Sequence, residues 1–259
     1  MKINFEKYQG AGNDFVIIDQ WNAPFDLSLA DISRLCNRHF GVGADGLMML
    51  RQHPRFDFEM LYFNADGAPG SMCGNGGRCI SRMAFEKGYT KRESLFLASD
   101  GMHEAIILDD DAVKLKMKDT DNMVRMNDDY FLNTGSPHYI RWVEQLDELD
   151  VVGEGRKVRN STEFRPDGTN VNFIKPYKDG FFVRTYERGV EDETLSCGTG
   201  VTAVALSVIG QRGDHGNHQV KIYTQGGELS VYFNFTGEGF NNVWLEGPAK
   251  KVFEGVIVL

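Results

Sequence analysis

One element occurs twice in this chain: Cys73-Gly74-Asn75-Gly76 and, later, Cys197-Gly198-Thr199-Gly200. Each opens a stretch of small and apolar residues. The surroundings of the two copies keep step. Gly12-Asn13 and Gly135-Ser136 each precede a strand pattern, with Asn13 60 residues before Cys73 and Ser136 61 before Cys197. Asn64 closes a strand pattern 9 residues before Cys73, and Glu187 closes one 10 residues before Cys197. Ser99-Asp100-Gly101 begins a hairpin after the first copy, and Thr224-Gln225-Gly226 begins one after the second. Self-similarity at this spacing is the mark of an internal repeat. The chain is expected to form two similar α/β halves related by a pseudo-twofold, with a boundary near 118–120.

Within the first half, "FVIIDQW" (15–21), "LMMLR" (47–51) and "DFEMLYFNADG" (57–67) read as strands, and "LADISRLCNRHF" (29–40) as an amphipathic helix stopped by Gly41. The 259 residues are 41% hydrophobic and 25% charged, which permits real cores without disulfides or metals. The net charge of -9, with Lys and Arg scattered, argues against nucleic acid and anionic membranes as partners. The first residues, Met1 to Lys7, form no apolar signal core, and no apolar run approaches the ~20 residues of a membrane helix. A cytoplasmic protein with four reduced cysteines is expected.

Each Cys-Gly-Xaa-Gly falls where a turn ends and a helix begins. Glycine lets backbone N–H groups approach a ligand closely. The first N–H groups of a helix have no internal partner and the macrodipole is positive there, so a carboxylate fits. The same field lowers a thiol pKa from about 8.5 towards neutrality, where a general base works best. One such cysteine suggests a nucleophile. Two at equivalent places suggest symmetric chemistry, the inversion of a stereocentre, in which one thiolate takes the α-proton and one thiol returns a proton on the other face. The carbanion charge spreads into the carboxylate, where helix starts stabilise it. No cofactor is needed and none is expected. Cys36 and Cys79 read as buried hydrophobes. Cys73 and Cys79 are six residues apart and lack zinc-ligand spacing, so no metal is expected. Gly41-Val42-Gly43-Ala44-Asp45-Gly46 matches a dinucleotide fingerprint literally. It follows a helix pattern and precedes a strand pattern, the reverse of the required context, and reads as a turn.

"FEKYQGAGNDFV" (5–16), "FNADG" (63–67), "MCGNGGRC" (72–79), "GSPH" (135–138), "YERGVEDETLSCGTG" (186–200) and "EGPAKKVFEG" (246–255) together resemble diaminopimelate epimerase, in order and spacing, over nearly the whole chain. The resemblance implies an α+β fold of two pseudo-symmetric domains, each a curved, mostly antiparallel sheet or barrel around a central helix, with the site in the cleft between them. The last dozen residues return to the first domain, giving 1–118 with 248–259, and 119–247. It implies a PLP-independent, two-base isomerase that interconverts LL- and meso-diaminopimelate for lysine and peptidoglycan precursors, acting as a homodimer. Cys73 and Cys197 match the catalytic cysteines. Gly74-Asn75 and Gly198-Thr199 match the amides that hold the reacting carboxylate. Asn13, Asn64, Asn170, Glu187 and Arg188 match side chains that hold the distal amino-acid end. His138 and Glu187 match residues that tune the thiols. The chemistry agrees: a guanidinium forks onto the distal carboxylate and a carboxylate takes the distal ammonium.

The chain departs from the family pattern twice. Ser136 stands where many members have Asn, and Gly46 where some have Gln, so two distal contacts are in question. On the residues alone, three alternatives stay open: a related two-cysteine racemase or epimerase with another substrate, a non-catalytic amino-acid binder, and a redox pair of thiols.

Overall fold

The computed structural model describes residues 1–70, 72–121 and 123–259. The chain divides into two compact units: Met1–Leu115 with Gly247–Leu259, and Lys116–Glu246.

The first unit runs β1 (Lys2–Gly10), β2 (Asn13–Asp19), α1 (Leu29–Cys36), β3 (Gly46–Arg51), β4 (Phe58–Asn64), α2 (Gly74–Glu86), β5 (Glu93–Ala98), β6 (Gly101–Ile107) and β7 (Ala112–Lys116). β1 and β2 pair antiparallel, β2 and β3 parallel, β3 and β4 antiparallel, β4 and β5 parallel. β5, β6 and β7 continue antiparallel. A parallel pair needs a crossover, and α1 and α2 supply the two. The C-terminal strand Lys250–Val258 pairs antiparallel with β1 from Lys2↔Val258 to Gln9↔Lys250. Ile257 and Leu259 pack on the cluster that contains Ile3, Phe5, Val16 and Leu47.

The second unit repeats this order. β8 (Val124–Met126) and β9 (Asp129–Asn133) lead into β10 (Pro137–Trp142), then α3 (Val151–Arg159), β11 (Asn170–Tyr177), β12 (Gly180–Glu187), β13 (Asp192–Thr194), α4 (Gly198–Arg212), β14 (Gly216–Thr224), β15 (Gly227–Phe235) and β16 (Phe240–Pro248). β10 and β11 are parallel across α3, β11 and β12 antiparallel, β12 and β14 parallel across α4, and β14, β15 and β16 antiparallel. The α+β expectation holds: two units, each a mixed and mainly antiparallel sheet around one buried helix.

α2 buries every residue from Gly74 to Ala84 and packs on β1, β2, β3, β6 and the C-terminal strand. α4 packs on β9, β10, β11, β14 and β15, and is apolar nearly all round, the composition of a helix enclosed by its own unit. Glycine in the first turn of either helix is poor for propensity, so enclosure rather than propensity holds these starts.

Two expectations need adjustment. The helix expected over 29–40 stops at Cys36, because the Asn37 side chain accepts from the backbone N–H of His39 and of Phe40, both at 2.9 Å, and turns the chain. Ser99-Asp100 and Gln225-Gly226 do not begin hairpins but close them, between Ala98↔Gly101 and Thr224↔Gly227. The Gly41–Gly46 segment is a helix-to-strand turn, with Gly43 at φ 81° and its N–H on Leu35 O. Among the described residues no helix is long and apolar enough to cross a membrane.

Candidate active site

Cys73 and Cys197 hold the same local position. Each is the N-cap of its unit's buried helix, at φ -105°, ψ 123° and φ -112°, ψ 113° respectively. A serine or aspartate there turns its side chain onto the helix's own N–H groups. Neither thiol does so. The first intrahelical bonds run from Gly77 N to Cys73 O (2.7 Å) and from Val201 N to Cys197 O (2.9 Å). The amides of Gly74 to Gly76 and of Gly198 to Gly200 therefore have no acceptor within their helices, and the positive end of each dipole meets the thiol. Cys73 is partly exposed and Cys197 buried. Cys36 and Cys79 are buried too, and burial pushes their thiols up to about 11 and about 12, well away from acid–base use near neutrality.

In the first unit Asn13 joins Cys73. Its side-chain oxygen accepts from Cys73 Sγ (3.5 Å) and from Asn75 Nδ2 (3.3 Å). Its Nδ2 donates to Asp45 (2.6 Å), which fixes the amide's orientation. Asp45 is held by Arg38 (2.7 Å), which also forks onto Asp14, and Lys7 pairs with Asp14 at 2.7 Å. Burial opposes ionisation of Asp14, but the hydrogen bonds and charges of Arg38 and Lys7 outweigh it and hold the carboxyl well below the usual range. Asn75 in turn accepts from Arg78 (2.9 Å), a fully buried guanidinium on α2. Asn64 stands exposed at the end of β4, its backbone closing a turn to Gly67 and Ala68. Among the described residues no hydrogen bond joins Asn64 to Asn13. Gly46 lies opposite Asn64 on β3, and a Cβ there would meet Tyr62 Cε2 at 2.6 Å and Phe63 O at 2.8 Å. The packing of Tyr62 thus requires glycine at this position.

In the second unit His138, Ser136, Thr199 and Cys197 form one network. His138 Nε2 lies 2.9 Å from Ser136 Oγ and 2.9 Å from Thr199 Oγ1. Thr199 Oγ1 lies 3.0 Å from Ser136 Oγ and 3.4 Å from Cys197 Sγ. Asn170 uses its whole amide internally, donating to Pro137 O (2.9 Å) and Ser136 Oγ (3.3 Å) and accepting from the Arg188 backbone N–H (2.9 Å). It thereby fixes the place of Arg188, whose guanidinium donates to Asp167 O at 3.2 Å. Glu187, at the end of β12, accepts from Thr194 Oγ1 at 2.8 Å. His138 is fully buried; burial, and then the charge of Arg188, lower its pKa from 6.5 to about 3, so the ring is neutral at physiological pH.

Four groups around the two cysteines escaped the sequence reading: Asp45, Arg78, Asn172 and the Thr199 hydroxyl. Asp45 sits in the segment that the sequence marks only as a turn. Asn172 carries a signal, since it stands two residues from Asn170 and so on the same strand face, a second amide in an apolar strand. A cavity of about 350 Å³ in the second unit, lined by Tyr139, Arg141, Lys157 and Phe164 among others, contains none of the candidate residues. Among the described residues no three His, Cys, Asp or Glu side chains stand together as a metal site.

The same chain, compared with known proteins, matches one family throughout. The family model for diaminopimelate epimerase matches residues 5–123 and 130–252. The diaminopimelate epimerase of Flavobacterium psychrophilum is 45% identical over 254 residues, covering 97% of this chain and 98% of that one. That of Chlorobaculum tepidum is 42% identical, covering 96% and 99%. Among solved structures, a PhzF-family phenazine biosynthesis protein of Bacillus anthracis superposes with a TM-score of 0.77 at 15% identity, covering all of both chains. A hydroxyproline epimerase of Agrobacterium vitis superposes with a TM-score of 0.71 at 16% identity, covering 100% of this chain and 93% of that one, so these two share the fold. With one family model spanning both units, and relatives of that name matching from end to end, the chain belongs to the diaminopimelate epimerase family and is an isomerase.

Proposed function

We propose that this isomerase interconverts LL-2,6-diaminopimelate and meso-2,6-diaminopimelate by a two-base reaction that uses no cofactor. Cys73 and Cys197 act on opposite faces of one α-carbon. One thiolate takes the α-proton and becomes a thiol; the electron pair left on carbon delocalises into the α-carboxylate. The other thiol delivers its proton to the opposite face and becomes a thiolate, so one S–H bond forms and one breaks. The amides that open α2 and α4, at Gly74-Asn75 and Gly198-Thr199, hold the carboxylate and its growing charge. The observation that carries this reading is the shared N-cap placement of the two thiols, each at the donor-rich start of its helix. The name of the Flavobacterium psychrophilum and Chlorobaculum tepidum relatives supports the substrate.

At the distal end Arg188 takes the carboxylate, and Glu187, with Asn13 and Asn64, takes the ammonium, while Asn170 sets the position of Arg188. Glu187 and His138 tune the thiols. On the family resemblance, the protein works as a homodimer in the cytoplasm.

In D₂O, with reductant and no added cofactor, the protein is expected to place deuterium at the α-carbon of diaminopimelate and to epimerise it. Cys73→Ala and Cys197→Ala should each abolish epimerisation; a variant that still epimerises removes its cysteine from the pair. A second reading is favoured by Ser136, whose hydroxyl is tied to His138, Thr199 and Asn170: an epimerase of the same chemistry acting on an amino acid with a different distal group. Arg188→Ala separates the two. Loss of a bidentate charged contact should lower kcat/KM for diaminopimelate by about 10-fold or more, on the scale of about 1.5–3 kcal/mol for hydrogen bonds to charged groups. Unchanged turnover of diaminopimelate would count against the distal clamp.

A further inference from the structure

Behind His138 lies Asn172, on β11, and both side chains are fully buried. Asn172 Nδ2 is 3.1 Å from Tyr139 O and 3.2 Å from His138 Nδ1. Its Oδ1 accepts from the Thr185 hydroxyl at 3.0 Å. A carbonyl oxygen can only accept, so the group facing Tyr139 O must be the NH₂ end of the amide. The same NH₂ faces His138 Nδ1, which is therefore an acceptor and carries no proton. A neutral imidazole has one N–H, and here it stands on Nε2. That N–H points at the hydroxyl oxygens of Ser136 and Thr199. When the Thr199 oxygen accepts from the ring, its own hydrogen can be given to Cys197 Sγ at 3.4 Å.

We propose that Asn172 is a positioning residue that locks His138 as the Nε2–H tautomer, so that Thr199 presents its hydroxyl hydrogen to the Cys197 sulfur and favours the thiolate. Gly200 makes room for this: a Cβ there would lie 2.5 Å from Asn172 Oδ1 and 3.3 Å from His138 Nδ1. The first turn of α4 and the amide–imidazole pair are thus packed as one piece. Beside Cys73, the Asn13 amide turns its oxygen to the sulfur, because Asp45 holds its Nδ2. This inference rests on the two-base reading of the site, and deepens it.

The test begins with the unmodified protein. Long-range ¹H–¹⁵N spectra of the ¹⁵N-labelled chain, with the His138 signals assigned by their absence in His138→Gln, should show an unprotonated Nδ1 and a protonated Nε2, unchanged from about pH 6 to 9, above the ordinary range of a buried imidazole. A protonated Nδ1 overturns the lock. In Asn172→Asp, which keeps shape but presents an acceptor, Nδ1 should become protonated; an unchanged ring also overturns it. The link to sulfur is read in the Cys73→Ala background by the pH dependence of Cys197 alkylation with iodoacetamide. Thr199→Val should move the midpoint up by about one pH unit or more, the size expected for a hydrogen bond to a charged group. An unmoved midpoint breaks that link. If Cys197→Ala retained epimerisation, the two-base reading would fall while the ring measurement still reported on Asn172.

Discussion

At the scale of single residues, two chemically identical thiols meet different neighbours. Cys73 meets an amide oxygen whose direction is set by Asp45, and Cys197 meets a hydroxyl backed by a neutral imidazole. The buried imidazole also leaves a mark on stability. Its folded pKa of about 3 lies below the 6.5 of the free ring. Between those values the unfolded chain binds one proton more than the folded chain, so folding gains stability as pH rises and loses it as pH falls through that window. The contribution is complete above about 6.5. From about pH 6.5 to 4.5 the native chain should lose up to about 1.4 kcal/mol per pH unit through this group. Carboxyls that the folded chain holds low, Glu6, Asp14 and Glu191 among them, add slope of the same sign as the pH falls through the ordinary carboxylate range, so the ring's share is the difference between the native chain and His138→Gln. Urea unfolding at about pH 6.5, 5.5 and 4.5 should show the slope in the native chain and a flatter one in His138→Gln; equal slopes would show that the ring is protonated when folded. The two cysteines at helix starts, Cys73 and Cys197, were legible in the sequence. Their neighbours were not, because an asparagine 25 residues before a cysteine, as Asn172 is before Cys197, carries no local sign of contact.

At the scale of elements, α2 and α4 are the parts on which the candidate site stands. Both begin with glycines that a free helix would penalise, and both are enclosed by their own sheet. Gly200→Ala tests how close that enclosure is. A methyl group there meets Asn172 Oδ1 at 2.5 Å, so either the amide or the helix start must move. The expected cost is about 1–3 kcal/mol in denaturant unfolding, as for overpacked cores. A fall in kcat larger than any change in KM should accompany it, because the displaced group touches Thr199 and Cys197 through His138. Native-like stability and turnover would show that the packing is looser than the backbone indicates. Strands were readable from their apolar patterns, and β2, β3 and β4 fall where those patterns lie. The end of α1 was not, because Asn37 ends it through side-chain bonds to the next amides, a choice that competes with helix and is decided locally by geometry.

At the scale of the whole molecule, the chain ends by returning to its first unit. The C-terminal strand supplies the partner of β1 and brings Ile257 and Leu259 onto Ile3 and Phe5. Deleting residues 250–259 should expose Ile3 and Phe5, at about 1.5–3 kcal/mol each, and leave one edge of β1 unpaired. Calorimetry should then show the first unit melting early, while the cluster of Tyr139, Val171, Phe173 and Tyr186 in the second unit keeps its own transition. A single unshifted transition would show the strand to be dispensable. The sequence by itself determined the duplication, the paired cysteines, the helix starts beneath them and the family, because each is written in local residue order and repeated spacing. The tertiary structure alone decided which way each amide faces. Asp45 sets Asn13, Asn170 sets Arg188, and Asn172 is placed to set His138, across strands and loops far apart in the chain. The direction of a buried hydrogen bond depends on what every neighbouring donor and acceptor has already taken, and that is known only once the chain has closed around it.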